Sequence, residues 1–406
     1  MKEIIVNDSN DKRIITVVED GELIEKYEED EELHRLEGNI YLGKVTDILV
    51  GMQAAFVDIG DDKNAFLHLK DLLPKASNET GNKELDLNQY NIKDYVKVGM
   101  PIMVQVKKDK TEKKGAKVST HLNIAGKFVV LIPNSKFITI SQKIEEETEI
   151  KRLTEIVENI NIKDYGIIIR TSAINASQEE IKNDIDDVIG IYNNIINDFK
   201  NEQKNKNVNV KLLFEKGDII KRLLLDIGNQ NIDNIIVNNK ETFNYIKELL
   251  VINNLDINLK LIEKDNILDI YGLEEQIEKL SKRLVWLNCG GFITIDKTEA
   301  LTAIDVNTGK FTGKENIEKT VLKVNSEATI EIVKQLRTRN LGGIFIIDYI
   351  DMDNKEDEKT IQELLIQNLK KDRAKTQVCG FTKLHLLEMT RKQIFWVSLY
   401  KRYEKN

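Results

Sequence analysis

Between residues 292 and 348 the apolar residues change period twice, and this pattern leaves few structures open. FITIDKTEALTAIDVN (292–307) alternates as two half-buried strands joined by a turn do. Over about 315–340, Ile317, Val321, Val324, Ala328, Ile332 and Leu336 fall on one helical face, and the pattern stops near Gly342-Gly343. IFIID then returns to strand. Carboxylates interrupt both apolar strands. Residues i and i+2 of a strand share a face, so Asp305 and Asn307 point one way while Ile304 and Val306 point into a core.

Asp348 ends the later strand, and the Gly-Gly before it allows close packing. If the two strands are sheet neighbours, Asp305 and Asp348 converge at one end. Adjacent carboxylates repel and one pKa rises unless a cation sits between them. Hard oxygen donors suit Mg²⁺, which can activate a water there. Taken singly, each Asp also reads as a strand end or turn residue. Asp351 and Asp353 continue the acidic strip as turn or supporting groups.

The rest of the chain reads as α+β and multidomain. Its 406 residues exceed one ordinary core, and 41% of them are apolar. Residues 1–36 alternate as a small antiparallel sheet, closed by the acidic run EEDEE, which reads as a solvated turn. Residues 37–125 form short strands with Gly38, Gly43, Gly51 and Gly60 at turns, the pattern of a small barrel, with a polar loop at 75–97. In 126–215, strands KFVVLIP and YGIIIRTSA precede a helix opened by Ser177 and Glu180 as a capping box. Ile181, Ile185, Val188, Ile189, Tyr192 and Ile196 would line that helix's buried face, and KNEQKNKNVNV reads as a linker. Residues 216–280 alternate helix and strand, and 281–406 form the last block.

Other residue sets bear on a polyanionic ligand. Phe56 and Phe66 are either barrel core or stacking platforms beside Lys107, Lys108, Lys110, Lys113, Lys114 and Lys117. Arg170-Thr171 is either structural or a phosphate clamp. Lys334, Arg337, Arg339, Lys370, Lys371, Arg373, Lys375, Arg391 and Lys392 surround the acidic strands in sequence and are either solvated helix faces or a surface for a phosphodiester. The net charge of −8 argues against a generally basic nucleic-acid binder but permits a local groove. Cys289 and Cys379 form no CxxC pair, and His34, His68, His121 and His385 show no metal-ligand spacing. No signal peptide or membrane-length apolar run is present, so a cytoplasmic protein is expected.

EALTAIDVNTGKFTGK, RNLGGIFIIDYIDM and LLEMTRK, in this order, resemble the ribonuclease E/G family of bacterial endoribonucleases, as do the earlier GNIYLGKVTDI, AAFVDIG and GIIIRTSA. The resemblance covers roughly residues 1–395. It implies a ribonuclease H-like region (1–36 and 216–280) with an inserted OB-fold RNA-binding barrel (37–125) and 5′-sensor (126–215), followed by a DNase I-like catalytic region (281–406). It also implies that Asp305 and Asp348 hold Mg²⁺, with Mn²⁺ able to substitute, and that Asn307 assists. By the same resemblance Arg170, Thr171 and Val130 read a 5′-monophosphate, and Phe56, Phe66 and Lys114 contact RNA.

The activity so implied is metal-dependent cleavage of single-stranded RNA, leaving 5′-phosphate and 3′-hydroxyl ends, in RNA processing or decay. The rival expectation is a family member that binds RNA with little or no catalysis. The family's CPxCxG motif does not follow LLEMTRK, so no zinc and no zinc-linked assembly are expected. A homodimer of another kind stays open.

Overall fold

The alternating segment folds as its pattern requires: Phe292–Lys297 and Thr302–Asn307 form an antiparallel hairpin. In a computed structural model, the structure describes residues 1–394 except 10–11, 31–35, 74–88, 112, 134, 161, 163, 205–208, 228–231 and 310–316. His34, most of the polar loop, the middle of the polar linker, the Ile317 side chain and the end of the chain beyond residue 394 therefore lie outside the described residues. The chain divides into two units, Met1–Glu32 with Asn231–Asn406, and Leu33–Gln230.

Among the described residues the first unit holds two sheets. In one, the antiparallel strands Lys2–Ser9, Lys12–Glu19 and Glu22–Asp30 are extended by the parallel strands Asn234–Val237 and Asn258–Leu261. The acidic run does not begin as a solvated turn. Glu28 lies within the third strand, where Lys26 and Lys12 neutralise it.

The other sheet has the order Leu284–Trp286, Phe292–Lys297, Thr302–Asn307, Gly343–Asp348, Leu386–Arg391, Thr376–Phe381. The helix Ile317–Thr338 connects the two parallel strands at its centre. Val324, Ala328, Ile332 and Leu336 of that helix are fully buried against Ile293, Ile304, Phe345 and Ile347, and Val321 is half-buried. A second helix, Lys355–Leu369, packs on the same core through Ile361 and Leu365.

The second unit contains a closed five-stranded barrel, consistent with an OB-like fold. Ile40–Leu49, Ala54–Asp58, Ala65–His68, Lys117–Ser119 and Pro101–Lys108 follow one another, and the last pairs back to the first. Closure removes free strand edges. The expected loop at 75–97 is only partly a loop, because Ile92 and Val96 enter the barrel core and Gln53 Oε1 accepts the Ile92 N–H at 2.9 Å.

Beside the barrel, the strands Ile124–Ala125, Val129–Ile132, Gly166–Ile169 and Ile138–Ile140 form a sheet with the helices Glu147–Asn159 and Gln178–Gln203. The Ser177–Glu180 capping box is formed. Ile195 rather than Ile196 completes the helix's buried face, as a 3.6-residue period from Ile181 requires. Among the described residues no helix is long and apolar enough to cross a membrane.

Candidate catalytic site

Asp305 and Asp348 are register partners across the central parallel strand pair, in line with Ile304 and Ile347 one position earlier. The two isoleucines are buried in the core, and both carboxylates stand exposed on the opposite face. Asn307 shares that face, and its Nδ2 donates to Asp305 Oδ2 at 2.5 Å. Partial burial, then the Asp305 and Asp351 carboxylates, raise the Asp348 carboxyl above its ordinary range.

The surrounding backbone holds this edge by close packing. A Cβ at Gly291 would lie 2.8 Å from the Asn307 carbonyl oxygen, so only glycine lets the preceding turn approach. Glu327 accepts the Cys289 N–H in the same turn at 3.1 and 3.2 Å. At Gly342 a Cβ would meet the Gln393 backbone at 2.7 Å, which accounts for the first glycine of the pair before the Asp348 strand.

Two positioning residues carry no motif in the sequence. Asn325 and Thr329 are fully buried on the long helix, one position beyond Val324 and Ala328. Asn325 Nδ2 donates to the Ile350 carbonyl at 2.9 Å, and its Oδ1 accepts the Ile350 N–H at 3.1 Å. Thr329 Oγ1 lies 2.9 Å from the buried Tyr349 hydroxyl. These bonds fix the chain directly after Asp348. Their only sequence signal is a second, polar i, i+4 pair beside the apolar stripe.

The donor chemistry fits a hard divalent cation. Two carboxylates stand side by side, and the Asp305 charge adds to the partial burial that raises the Asp348 carboxyl. Mg²⁺ is commonly held by one or two carboxylates, with water and phosphate completing its shell. Among the described residues no group of three or more His, Cys, Asp and Glu could hold a metal.

The arginines of the expected basic surround are committed elsewhere, while Lys370, Lys371, Lys375 and Lys392 stand exposed. Arg373 and Arg337 bond Glu25, the former at 2.6 Å from Nη2, and Lys334 pairs with Glu22. Arg391 is buried against Asp372 at 2.6 Å and also donates to the Leu341 carbonyl. These arginines tie elements together, because a buried guanidinium needs a carboxylate partner. Asp351 and Asp353 are exposed in the turn after Asp348.

In the second unit, Arg170 follows the strand Gly166–Ile169 and is one-fifth exposed. It donates to the Gly126 carbonyl at 2.6 Å and pairs with Asp226. Thr171 is exposed at the start of a short turn, and Val130 is the register partner of Ile168. Asp184 accepts the N–H groups of Lys127, Phe128 and Val129 at 2.7–2.9 Å, securing the loop beneath Arg170.

On the barrel, Phe56 and Phe66 are cross-strand partners whose rings meet edge to face at 6.1 Å. Ala55, Val57, Ala65 and Leu67 fill the core instead, leaving both rings half-exposed outside it. Lys114 is exposed in the turn closed by Thr111, whereas Lys110 pairs with Asp61 and Asp62 and Lys117 with Asp71.

Residues 123–394 match the model of the ribonuclease E/G family. Ribonuclease G of Escherichia coli K12 and that of Salmonella typhimurium are each 36% identical to this chain over 394 residues, covering 96% of it and 80% of their own length. A putative ribonuclease E of Buchnera aphidicola subsp. Baizongia pistaciae is 34% identical over 404 residues, covering 96% of this chain and 95% of its own.

Proposed function

The chain belongs to the ribonuclease E/G family and is an endoribonuclease, and we propose that it hydrolyses single-stranded RNA at Asp305 and Asp348. The register pairing of these two exposed carboxylates carries the reading. Asp305 and Asp348 would hold Mg²⁺, or Mn²⁺ in its place. When bound, that cation supplies Lewis-acid activation of water and neutralises charge developing on the phosphate.

The chain's own part is positional. Asn307 holds the Asp305 carboxylate by its 2.5 Å bond, and Asn325 and Thr329 hold the turn behind Asp348. Fixed oxygens lose little orientational freedom when the substrate arrives, which favours an in-line geometry. The products are 5′-phosphate and 3′-hydroxyl ends, and the setting is RNA processing or decay in the cytoplasm.

Phe56 and Phe66 offer half-exposed ring faces for unpaired bases, with Lys114 for the backbone. Arg170, Thr171 and Val130 form the proposed 5′-monophosphate sensor, in which phosphate would exchange with the Asp226 carboxylate at the guanidinium. The first unit would combine the ribonuclease H-like and DNase I-like regions, and the second the barrel and sensor. Purified protein should cut single-stranded RNA, stop in EDTA and leave DNA of the same sequence intact. Cleavage that survives EDTA refutes the metal, and RNA binding without cleavage refutes the catalysis.

A further inference from the structure

The face that carries Asp305 also carries two aromatic rings. Phe292 is the register partner of Asn307, and Trp286 is the register partner of Phe292. Cross-strand partners share a face, so Trp286, Phe292 and Asn307 form one row across three strands. The adjacent row on the same face contains Thr294, Asp305 and Asp348. With strands about 4.8 Å apart, Phe292 stands about 5 Å from Asn307 and Trp286 roughly 10 Å.

The rings meet edge to face, with centroids 5.3 Å apart. Val285 and Ile293, at the intervening positions, point toward the core. Trp286 is 61% exposed, although an indole of this size is usually covered. Phe292 contacts it from the adjoining strand, and most of the larger ring stays open to solvent.

We propose that Trp286, braced by Phe292, is a stacking subsite for an unpaired base of the RNA strand whose phosphate lies at Asp305 and Asp348. This rests on the endonucleolytic reading of that pair and adds a base-binding element to it. A π-face accepts any base, so the subsite grips single strands without choosing sequence. A base paired in a duplex has both faces covered and cannot stack there, which gives the catalytic face its own preference for unpaired RNA. A protein partner fits less well. Trp286, Phe292 and the partly exposed Leu284 make a patch far below the ~800 Å² per side of a stable interface.

The test uses the full chain. Trp286→Ala and Trp286→Leu should each raise KM for single-stranded RNA by about ten-fold with kcat nearly unchanged, and Trp286→Phe should restore most of the loss. Leucine keeps an apolar cover on Phe292, so a purely structural tryptophan would leave Trp286→Leu like the unmodified chain. The chain's other tryptophan is Trp396. In an Asp348→Ala, Trp396→Phe background, titration with single-stranded RNA should quench the Trp286 fluorescence.

Cleavage by the native chain with KM unchanged in Trp286→Ala overturns the subsite alone. A fall in molar mass in that variant, with KM unchanged, would instead assign the rings to contact between copies. Absence of cleavage by the native chain overturns the underlying reading and the subsite with it.

Discussion

The Asn325 side chain closes a two-bond clamp on one residue, Ile350: its amide donates to the Ile350 carbonyl at 2.9 Å and accepts the Ile350 N–H at 3.1 Å. The clamp links the crossover helix to the chain two residues past Asp348, so the helix that fills the core also sets where the carboxylate stands. Asn325→Ala leaves two backbone groups without their partner, a loss of about 1–3 kcal/mol in stability. On protein still folded, we expect kcat to fall by roughly ten-fold with KM unchanged, because the carboxylate is held less firmly. Urea unfolding and single-turnover cleavage measure the two effects, and an unchanged kcat would mean that Asn325 serves stability alone.

Glu25 supplies the pH dependence. Burial pushes its carboxyl up, but Arg373, Arg337 and the Tyr27 hydroxyl outweigh burial and hold it at about 2. A folded pKa below the unfolded value contributes stability that is complete above about pH 4.5 and lost as pH falls through about 2. The depression corresponds to about 3 kcal/mol. Glu25→Gln should therefore be destabilised most above pH 4.5, and its gap from the unmodified chain should narrow toward pH 2. Urea titrations at pH 7 and pH 3 read this directly. A gap that widens in acid would contradict it.

Arg170 and Asp226 form the ion pair at the proposed sensor. A phosphate arriving at Arg170 competes with that carboxylate. Arg170→Ala should reduce the preference for 5′-monophosphate over 5′-hydroxyl RNA, whereas Asp226→Asn should increase it several-fold by freeing the guanidinium. Parallel KM measurements on the two substrates separate the variants. Equal rates on both substrates in the unmodified chain would remove the sensing role.

How much the sequence disclosed depended on the kind of constraint. Strand period put Asp305 and Asn307 on one face, and the structure has them there, because alternation is a local property. That Asp348 would be the register partner of Asp305 rested on a sheet neighbourhood that only the fold supplies. Phe56 and Phe66 stayed ambiguous in sequence because either face of a short strand can be the core. Ala55, Val57, Ala65 and Leu67 took that place.

The C-terminal arginines misled. Basic residues near an acidic strip look like a substrate surface until their partners are known, and Glu25 and Asp372 are distant in sequence from the arginines they neutralise or lie in another element. Asn325 and Thr329 escaped notice because one polar i, i+4 pair on a helix reads equally as part of its solvated face. Trp286 was hidden for a related reason, since its significance lies in a cross-strand row.

The central claim is that Asp305 and Asp348 together hold the catalytic cation. Single-turnover cleavage of single-stranded RNA by Asp305→Ala and Asp348→Ala, alongside RNA affinity measured on the same preparations, tests it most directly. The account predicts that either substitution lowers the cleavage rate at least about 10³-fold, the loss of several kcal/mol of transition-state stabilisation, while RNA affinity changes by less than about ten-fold. Mg²⁺-dependent cleavage persisting near the native rate in either folded variant would contradict it.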